Sequence, residues 1–397
     1  MKQVMDPLQQ QRYFSQELLD WYVVIKRDLP WRRHSNPYFI WISEIMLQQT
    51  RVDTVIPYFN RFIEKFPTVE ALADAPEDEV LKCWEGLGYY SRARNLQYAA
   101  RQIRDQYGGI MPSGKEEVAS LKGVGPYTAG AIRSIAFNVP APAVDGNVMR
   151  VLSRYFLIEE DIMKTGTRKL MEELVLQLIP EGRASDFNQG LMELGALVCT
   201  PKSPKCLTCP VMVHCRGRIE GMEDKLPVKA KAKPPRQEYR LTAIIEGSGV
   251  ESGKVLIRKR PSTGLLAGMW ELPHISEVPP DGDAARHVML PDAAAAKKLA
   301  EELGRERLPV VPGEHVMAAE HTFSHIHWNM RVYTCSWSPA VPAMAAESAA
   351  AYDASPSIPE AGSSPGPLYQ WITADDMERY AFPNVFLRIL NAYFANI

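Results

Sequence analysis

Four cysteines fall within 17 residues, Cys199, Cys206, Cys209 and Cys215, in the spacing C-x6-C-x2-C-x5-C. Soft thiolates this close in sequence are metal ligands, either for zinc or for an iron–sulfur cluster. Two C-x2-C knuckles would be the zinc pattern. Here one short and two longer spacings suit a loop around a larger object, stiffened by Pro201, Pro204 and Pro210. His214 reads as a loop histidine, and the isolated Cys83 and Cys335 as structural thiols. A second stretch, LKGVGPYTA from Leu121, reads as helix, tight turn, helix. Its glycines permit positive φ and lack a Cβ, so the backbone N–H groups of Gly123, Val124 and Gly125 can approach an anion. A helix starting near Pro126 adds its N-terminal dipole. No G-K-[ST] follows, so a nucleoside-triphosphate loop is excluded and a phosphodiester fits better. The same letters also suit an ordinary glycine-rich turn.

These groups need elements to hold them. Residues 1–225 are expected to be helical: apolar positions recur at about 3.6 residues in YFSQELLDWYVVIKRD, PYFIWISEIMLQQT, VDTVIPYFNRFIEKF and RKLMEELVLQLI. Residues 226–237, basic and proline-bearing, read as a semi-rigid linker. After it the period changes, and RLTAIIEG, KVLIRKR and HWNMRVYTCSW read as strands, with AAAAKKLAEELG as one helix. An α+β domain is therefore expected over 238–397. Within it, residues 338–367 form an Ala/Ser/Pro-rich stretch expected to be a mobile loop.

Together the motifs carry a resemblance. The cysteine spacing is similar to that of the endonuclease III superfamily of DNA glycosylases. SEIMLQQT (Ser43–Thr50), LKCWEGLGYYSRARNL (Leu81–Leu96), GVGPYTAG (Gly123–Gly130) and VDGNV (Val144–Val148) resemble the MutY-type adenine DNA glycosylases. RPSTGLLAGMWELP, Arg260–Pro273, resembles the MutT-like, or Nudix-fold, domain that ends those enzymes. The resemblance implies an all-α helix-hairpin-helix glycosylase domain, its hairpin at about 121–130 and its cysteine loop at 199–215. It also implies a Nudix-like α+β domain that recognises rather than hydrolyses. The cysteines would then hold a structural, redox-linked [4Fe–4S] cluster.

The implied reaction removes adenine mispaired with 8-oxoguanine or guanine in duplex DNA. Adenine leaves poorly as an anion, so one acid must stay protonated and one carboxylate ionised. Glu44, flanked by Ile45, Met46 and Leu47, is expected to be desolvated and to act as the general acid, later as the base for water. Asp145, beside Gly146 and Asn147, is expected to stay ionised and stabilise charge at C1′, by analogy with glycoside hydrolysis. Asn147 and Tyr127 would orient them. Bifunctional members carry a lysine where Tyr127 stands; a phenol forms no imine, which argues for a monofunctional enzyme over a glycosylase/lyase. A flipped adenine needs a pocket, implied to be Trp31, Arg32 and Gln189, while Gln49, Thr50, Leu87 and Tyr89 fill or wedge the vacated stack and contact the lesion.

In the second domain Phe323-Ser324-His325 looks like the family's 8-oxoguanine reader. A working Nudix hydrolase needs R-E-x-x-E-E on its helix to hold magnesium. AAAAKKLAEELG leaves only Glu301 and Glu302, so a nucleotide-pool pyrophosphatase is disfavoured. The Glu44/Asp145 pair opposes a purely DNA-binding role. The net charge is −2, yet residues 225–260 hold ten Lys/Arg against three acids, a belt suited to a polyanion or to a solvated linker. No apolar run approaches a membrane span, and the first residues lack the apolar core of a signal peptide. A cytoplasmic monomer, acting in a bacterial nucleoid, is the expectation.

Overall fold

The computed structural model describes residues 7–230, 233–277, 289–338 and 368–396. All but the first residue of the expected mobile loop, 338–367, lies outside them. The chain divides into two units, one of residues 1–75 and 92–232, the other of 76–91 and 233–397. The sequence motifs alone suggest a single break near 225–238. The structure adds the excursion at 76–91, and β1 starts at Arg236, within the expected linker.

The first unit is helical. Pro37–Leu47 is the helix that matters most. Asn36 caps it by accepting the Tyr38 N–H at 2.9 Å, and Pro37 supplies the preset φ of a first turn. Eight of its eleven residues are buried, from Tyr38 to Met46, so a carboxylate placed in it must be desolvated. Its last carbonyls, which lack helical partners, are gathered by one side chain. Arg92 Nη1 donates to Ile45 O, Met46 O and Gln48 O at 2.8, 3.0 and 2.6 Å. The next helix, Val52–Lys65, buries only the stripe Val55, Phe59 and Phe62.

The glycine motif forms the turn between helices Lys115–Ser120 and Pro126–Phe137. Gly123 sits at φ +79°, where a Cβ would also meet Asn95 Cβ at 2.8 Å. Both facts require glycine. Helix Gly146–Phe156 follows, capped by Asp145, and packs with Ala184–Leu197 around a core of Phe14, Leu18, Leu152, Tyr155, Phe187 and Leu191.

The second unit is a mixed sheet with a helix on each face. Its strands are β1 (Arg236–Glu246), β2 (Val255–Lys259), β3 (Trp270–Glu271), β4 (His274–Ser276), β5 (Val310–Thr322), β6 (Ile326–Trp337) and β7 (Tyr369–Ile372). The order is β3-β2-β1-β6-β5, with β4 on β1 and β7 on β2. Among the described residues only β1 and β6 run parallel, in register from Arg236↔Ile326 to Glu246↔Ser336. β1 buries five consecutive residues, Leu241–Ile245, because both faces are covered. Leu241, Ala243 and Ile245 pack under helix Asp292–Arg305, and Ile244 under helix Asn384–Phe394. On Asp292–Arg305, Glu301 and Glu302 are tied within the helix, to Lys297 at 3.8 Å and to Arg305 at 2.5 Å. Among the described residues no helix is long and apolar enough to cross a membrane.

Candidate functional site

A cavity of about 1190 Å³ opens in the first unit, and Glu44, Tyr127, Asp145, Asn147, Trp31, Arg32 and Gln189 all line it. Residues drawn from sequence positions 158 apart are thus brought to one space. Glu44 is 6% exposed. Burial pushes its carboxyl up to about 7, the nearby Asp145 adds to the rise, and the Tyr127 hydroxyl and Arg32 oppose it. Tyr127 Oη donates to Glu44 Oε2 at 2.7 Å and lies 3.3 Å from Met192 Sδ. Burial and the Glu44 charge raise the phenol well above its ordinary value, so Tyr127 remains a neutral donor.

Asp145 occupies the N-cap of helix Gly146–Phe156. Oδ1 accepts the Val148 N–H at 2.7 Å, and Oδ2 accepts from Asn147 Nδ2 at 2.9 Å. Burial raises its carboxyl above the usual carboxylate range, while these donors and the charge of Arg150 pull it down. Its anion is therefore held by hydrogen bonds and the helix terminus rather than by solvent. Asn147 is itself fixed, since its Oδ1 accepts from Arg150 Nη2 at 2.8 Å. Gly195 backs it closely: a Cβ there would lie 2.6 Å from Asn147 Cβ and 3.1 Å from its carbonyl oxygen. Gly195→Ala is accordingly expected to destabilise the fold by about 1–3 kcal/mol, measured by denaturant unfolding.

The far wall is charged. Glu193, 1% exposed, takes Arg27 Nε and Nη2 at 2.7 and 2.9 Å and Arg32 Nη2 at 2.9 Å. Burial alone would raise its carboxyl, but the two guanidinium groups bring it down to about 2. The Arg32 guanidinium also lies 5.7 Å over the Tyr22 ring. Trp31 is buried, edge-on to Phe59 at 5.4 Å. Gln189 Nε2 donates back to Ser185 O and Oγ at 3.3 and 3.2 Å. Glu193 and Arg27 were not singled out from the sequence. The signal was there: Glu193 stands between Met192 and Leu194 as Glu44 stands between Ser43 and Ile45, an acid inside an apolar helix.

Gln49 and Thr50 also line the cavity, Gln49 at a left-handed φ of 59°. So do Gly123 and Gly125; no atom would lie within 4 Å of a Cβ on Gly125, so its backbone is open to a ligand. Val124, nearly buried, lines a neighbouring cavity of about 530 Å³. Leu87 and Tyr89 are not among the residues lining either cavity. They lie in the stretch 76–91, grouped with the second unit; Leu87 is buried and Tyr89 exposed, at φ 49°. Phe323, Ser324 and His325 form the turn between β5 and β6. Phe323 packs edge-on to Trp328 at 4.9 Å, whereas Ser324 and His325 are exposed, with Ser324 Oγ 3.0 Å from His325 Nδ1.

The four cysteines are free thiols on one loop. Among the described residues no group of three or more His, Cys, Asp or Glu is set as a site for a metal ion. The loop nevertheless has the donor chemistry of a cluster site. Burial raises the Cys209 and Cys215 thiols to about 12 and 11, and the charges of the other cysteines add to this; backbone N–H groups of Val211, Gly217 and Arg218 favour the thiolates. Arg154 Nη1 donates to Cys199 Sγ at 3.3 Å and to Thr200 O at 2.8 Å. Arg150 Nε donates to Cys199 O at 2.7 Å.

Residues 42–177 match the model of the HhH-GPD superfamily base excision DNA repair proteins, and residues 248–392 match the NUDIX domain. The chain is 38% identical over 380 residues to the adenine DNA glycosylase of Rattus norvegicus, covering 83% of this chain and 72% of the relative. Against that of Mus musculus it is 39% identical over 371 residues, covering 81% and 70%. A solved thermostable thymine-DNA glycosylase is 32% identical, with a TM-score of 0.50 over 53% of this chain and 98% of its own.

Proposed function

The chain belongs to the adenine DNA glycosylase family, joining a helix-hairpin-helix domain to a Nudix-like one, and on that premise we propose that it hydrolyses adenine from 8-oxoguanine:adenine and guanine:adenine mispairs in duplex DNA without cutting the strand. The observation that carries this reading is the pair of unlike carboxyls on one cavity, Glu44 raised by burial and Asp145 anchored at a helix N-terminus. In this reading DNA phosphates meet the open Gly123–Gly125 turn, and adenine is flipped into the cavity. Glu44 then gives its proton to a ring nitrogen of adenine as the glycosidic bond breaks. Asp145 stabilises the resulting positive charge at C1′. Glu44, now ionised, takes a proton from the water that adds to C1′. Tyr127 holds the Glu44 carboxyl, and Asn147 holds Asp145.

Cys199, Cys206, Cys209 and Cys215 would hold a [4Fe–4S] cluster, which supplies structural and redox chemistry; base removal does not run through it. Ser324 and His325 are assigned to hydrogen-bond 8-oxoguanine, supported by Phe323. Protein acting as a monomer in the cytoplasm completes the reading.

An 8-oxoguanine:adenine duplex tests it. Free adenine should be released, with strand breaks appearing only after alkali. Borohydride should trap no protein–DNA adduct, because Tyr127 offers no amine. Breaks without alkali, or a trapped imine, would establish a glycosylase/lyase instead.

A further inference from the structure

Residues 76–91 fall inside the stretch matched by the HhH-GPD superfamily, yet they pack with the second unit. Helix Glu77–Trp84 buries Val80, Leu81 and Trp84. Polar ties secure its end. Lys82 Nζ donates to the main-chain carbonyls of Met377 and Tyr380 at 3.0 and 3.1 Å and pairs with Glu85 Oε2 at 2.6 Å. The other Glu85 oxygen accepts the Phe382 N–H at 2.7 Å. Tyr90 Oη donates to Phe382 O at 3.4 Å while accepting the Gly86 N–H at 3.1 Å. Lys259 Nζ holds Asp78 at 2.7 and 2.8 Å at the other end of the segment.

The turn between these anchors is unusual. Gly86, Gly88 and Tyr89 all lie at positive φ, 99°, 73° and 49°. A tyrosine holds such a conformation only where its surroundings impose it. The gripping loop is in turn rooted in a specific core. Met377 and Phe382 share it with Trp328 and Phe386, and Phe323 packs against it through Trp328 at 4.9 Å. The Phe323–His325 turn and the residues on either side of the Leu87–Tyr89 turn are therefore tied to one core. Close-packed cores switch between discrete arrangements and transmit displacement, so a change at one end is felt at the other.

We propose that the 76–91 segment is the second unit's own part of the DNA-distorting machinery, with Lys82 and Glu85 as positioning residues that seat the Leu87–Tyr89 turn on the lesion-reading core. Recognition of 8-oxoguanine then sets the wedge. This rests on the reading of Phe323–His325 as reader and of Leu87 and Tyr89 as wedge.

The test is single-turnover adenine release by the full chain from 8-oxoguanine:adenine and guanine:adenine duplexes. Lys82→Met and Glu85→Gln should each lower the ratio of the two rates by about tenfold, the loss falling on the 8-oxoguanine duplex. Lys82→Arg, which keeps donors for both carbonyls, should restore most of it. Adding Lys82→Met to Ser324→Ala/His325→Ala should lower the ratio no further than the serine–histidine change alone. Equal slowing on both duplexes, or losses that simply add, would overturn the proposal. Melting curves separate misfolding from uncoupling, and Glu85→Gln retains an oxygen for the Phe382 N–H should Lys82→Met fail to fold. The controls are Ser324→Ala/His325→Ala and Leu87→Ala/Tyr89→Ala. If these leave ratio and rates unchanged, the reader and wedge assignments fall, and this proposal with them. If they act and the Lys82 and Glu85 variants do not, the coupling alone is wrong.

Discussion

Glu44→Gln should bind the mispair and leave adenine attached, with the release rate down by about 10³-fold, within the range for loss of a general acid. The wild-type rate should fall as pH rises through about 7, where the buried carboxyl loses its proton. The same shift makes a stability claim. The carboxyl's ordinary value of 4.5 rises to about 7 in the fold. Between those values the folded state keeps the proton and the unfolded chain loses it, so stability declines as pH rises across that window and is level above it. The full decline is on the order of 3 kcal/mol. Glutamine does not titrate. Glu44→Gln should therefore match the wild type in denaturant unfolding near the acid end of the window and exceed it at alkaline pH. A variant that is inactive yet more stable in alkali ties the function to desolvation; wild-type turnover in that variant would remove Glu44 from the reaction.

Asp145→Asn separates charge from architecture. Asparagine caps a helix about as well as aspartate, and its side-chain oxygen can still accept the Val148 N–H. The melting temperature should fall only modestly, the loss being the bond from Asn147 Nδ2, which an amide nitrogen in place of Oδ2 cannot accept. What goes is the negative charge proposed to stabilise C1′, and adenine release should drop by about 10²–10³-fold, the usual cost of removing one electrostatic stabiliser. Single-turnover rates beside melting curves decide it: activity within tenfold of wild type on a folded protein would mean that the Asp145 charge is not used.

Much of this was legible in the chain before any coordinates. The helices at 37–47 and 52–65 follow from 3.6-residue spacing, and a proline marks the starts of those at 37–47 and 126–137. The strands at 236–246, 255–259 and 326–337 follow from the change of period. β5 did not announce itself. Pro312 and Gly313 lie near its start and its register shifts between Pro312, His315 and Met317, which destroys the alternation by which a strand is read. Glu193 stands between Met192 and Leu194, and Glu44 is followed by Ile45, Met46 and Leu47, so both are acids in apolar helices. The opposite ionisation of the two, one raised to about 7 and the other lowered to about 2, depends on Arg27 and Arg32 arriving from 161 residues or more away.

Residue types and spacings by themselves determined the chemistry on offer: a carboxyl in an apolar helix, a phenol in place of an amine, an anion-ready glycine turn and four thiols on one loop. These are local facts, set by neighbours a few positions away. Tertiary structure alone decided that Glu193 is an anion and that residues 76–91 belong to the second unit. Each of those depends on groups distant in sequence, and no local pattern encodes which distant donor, charge or core a side chain will meet.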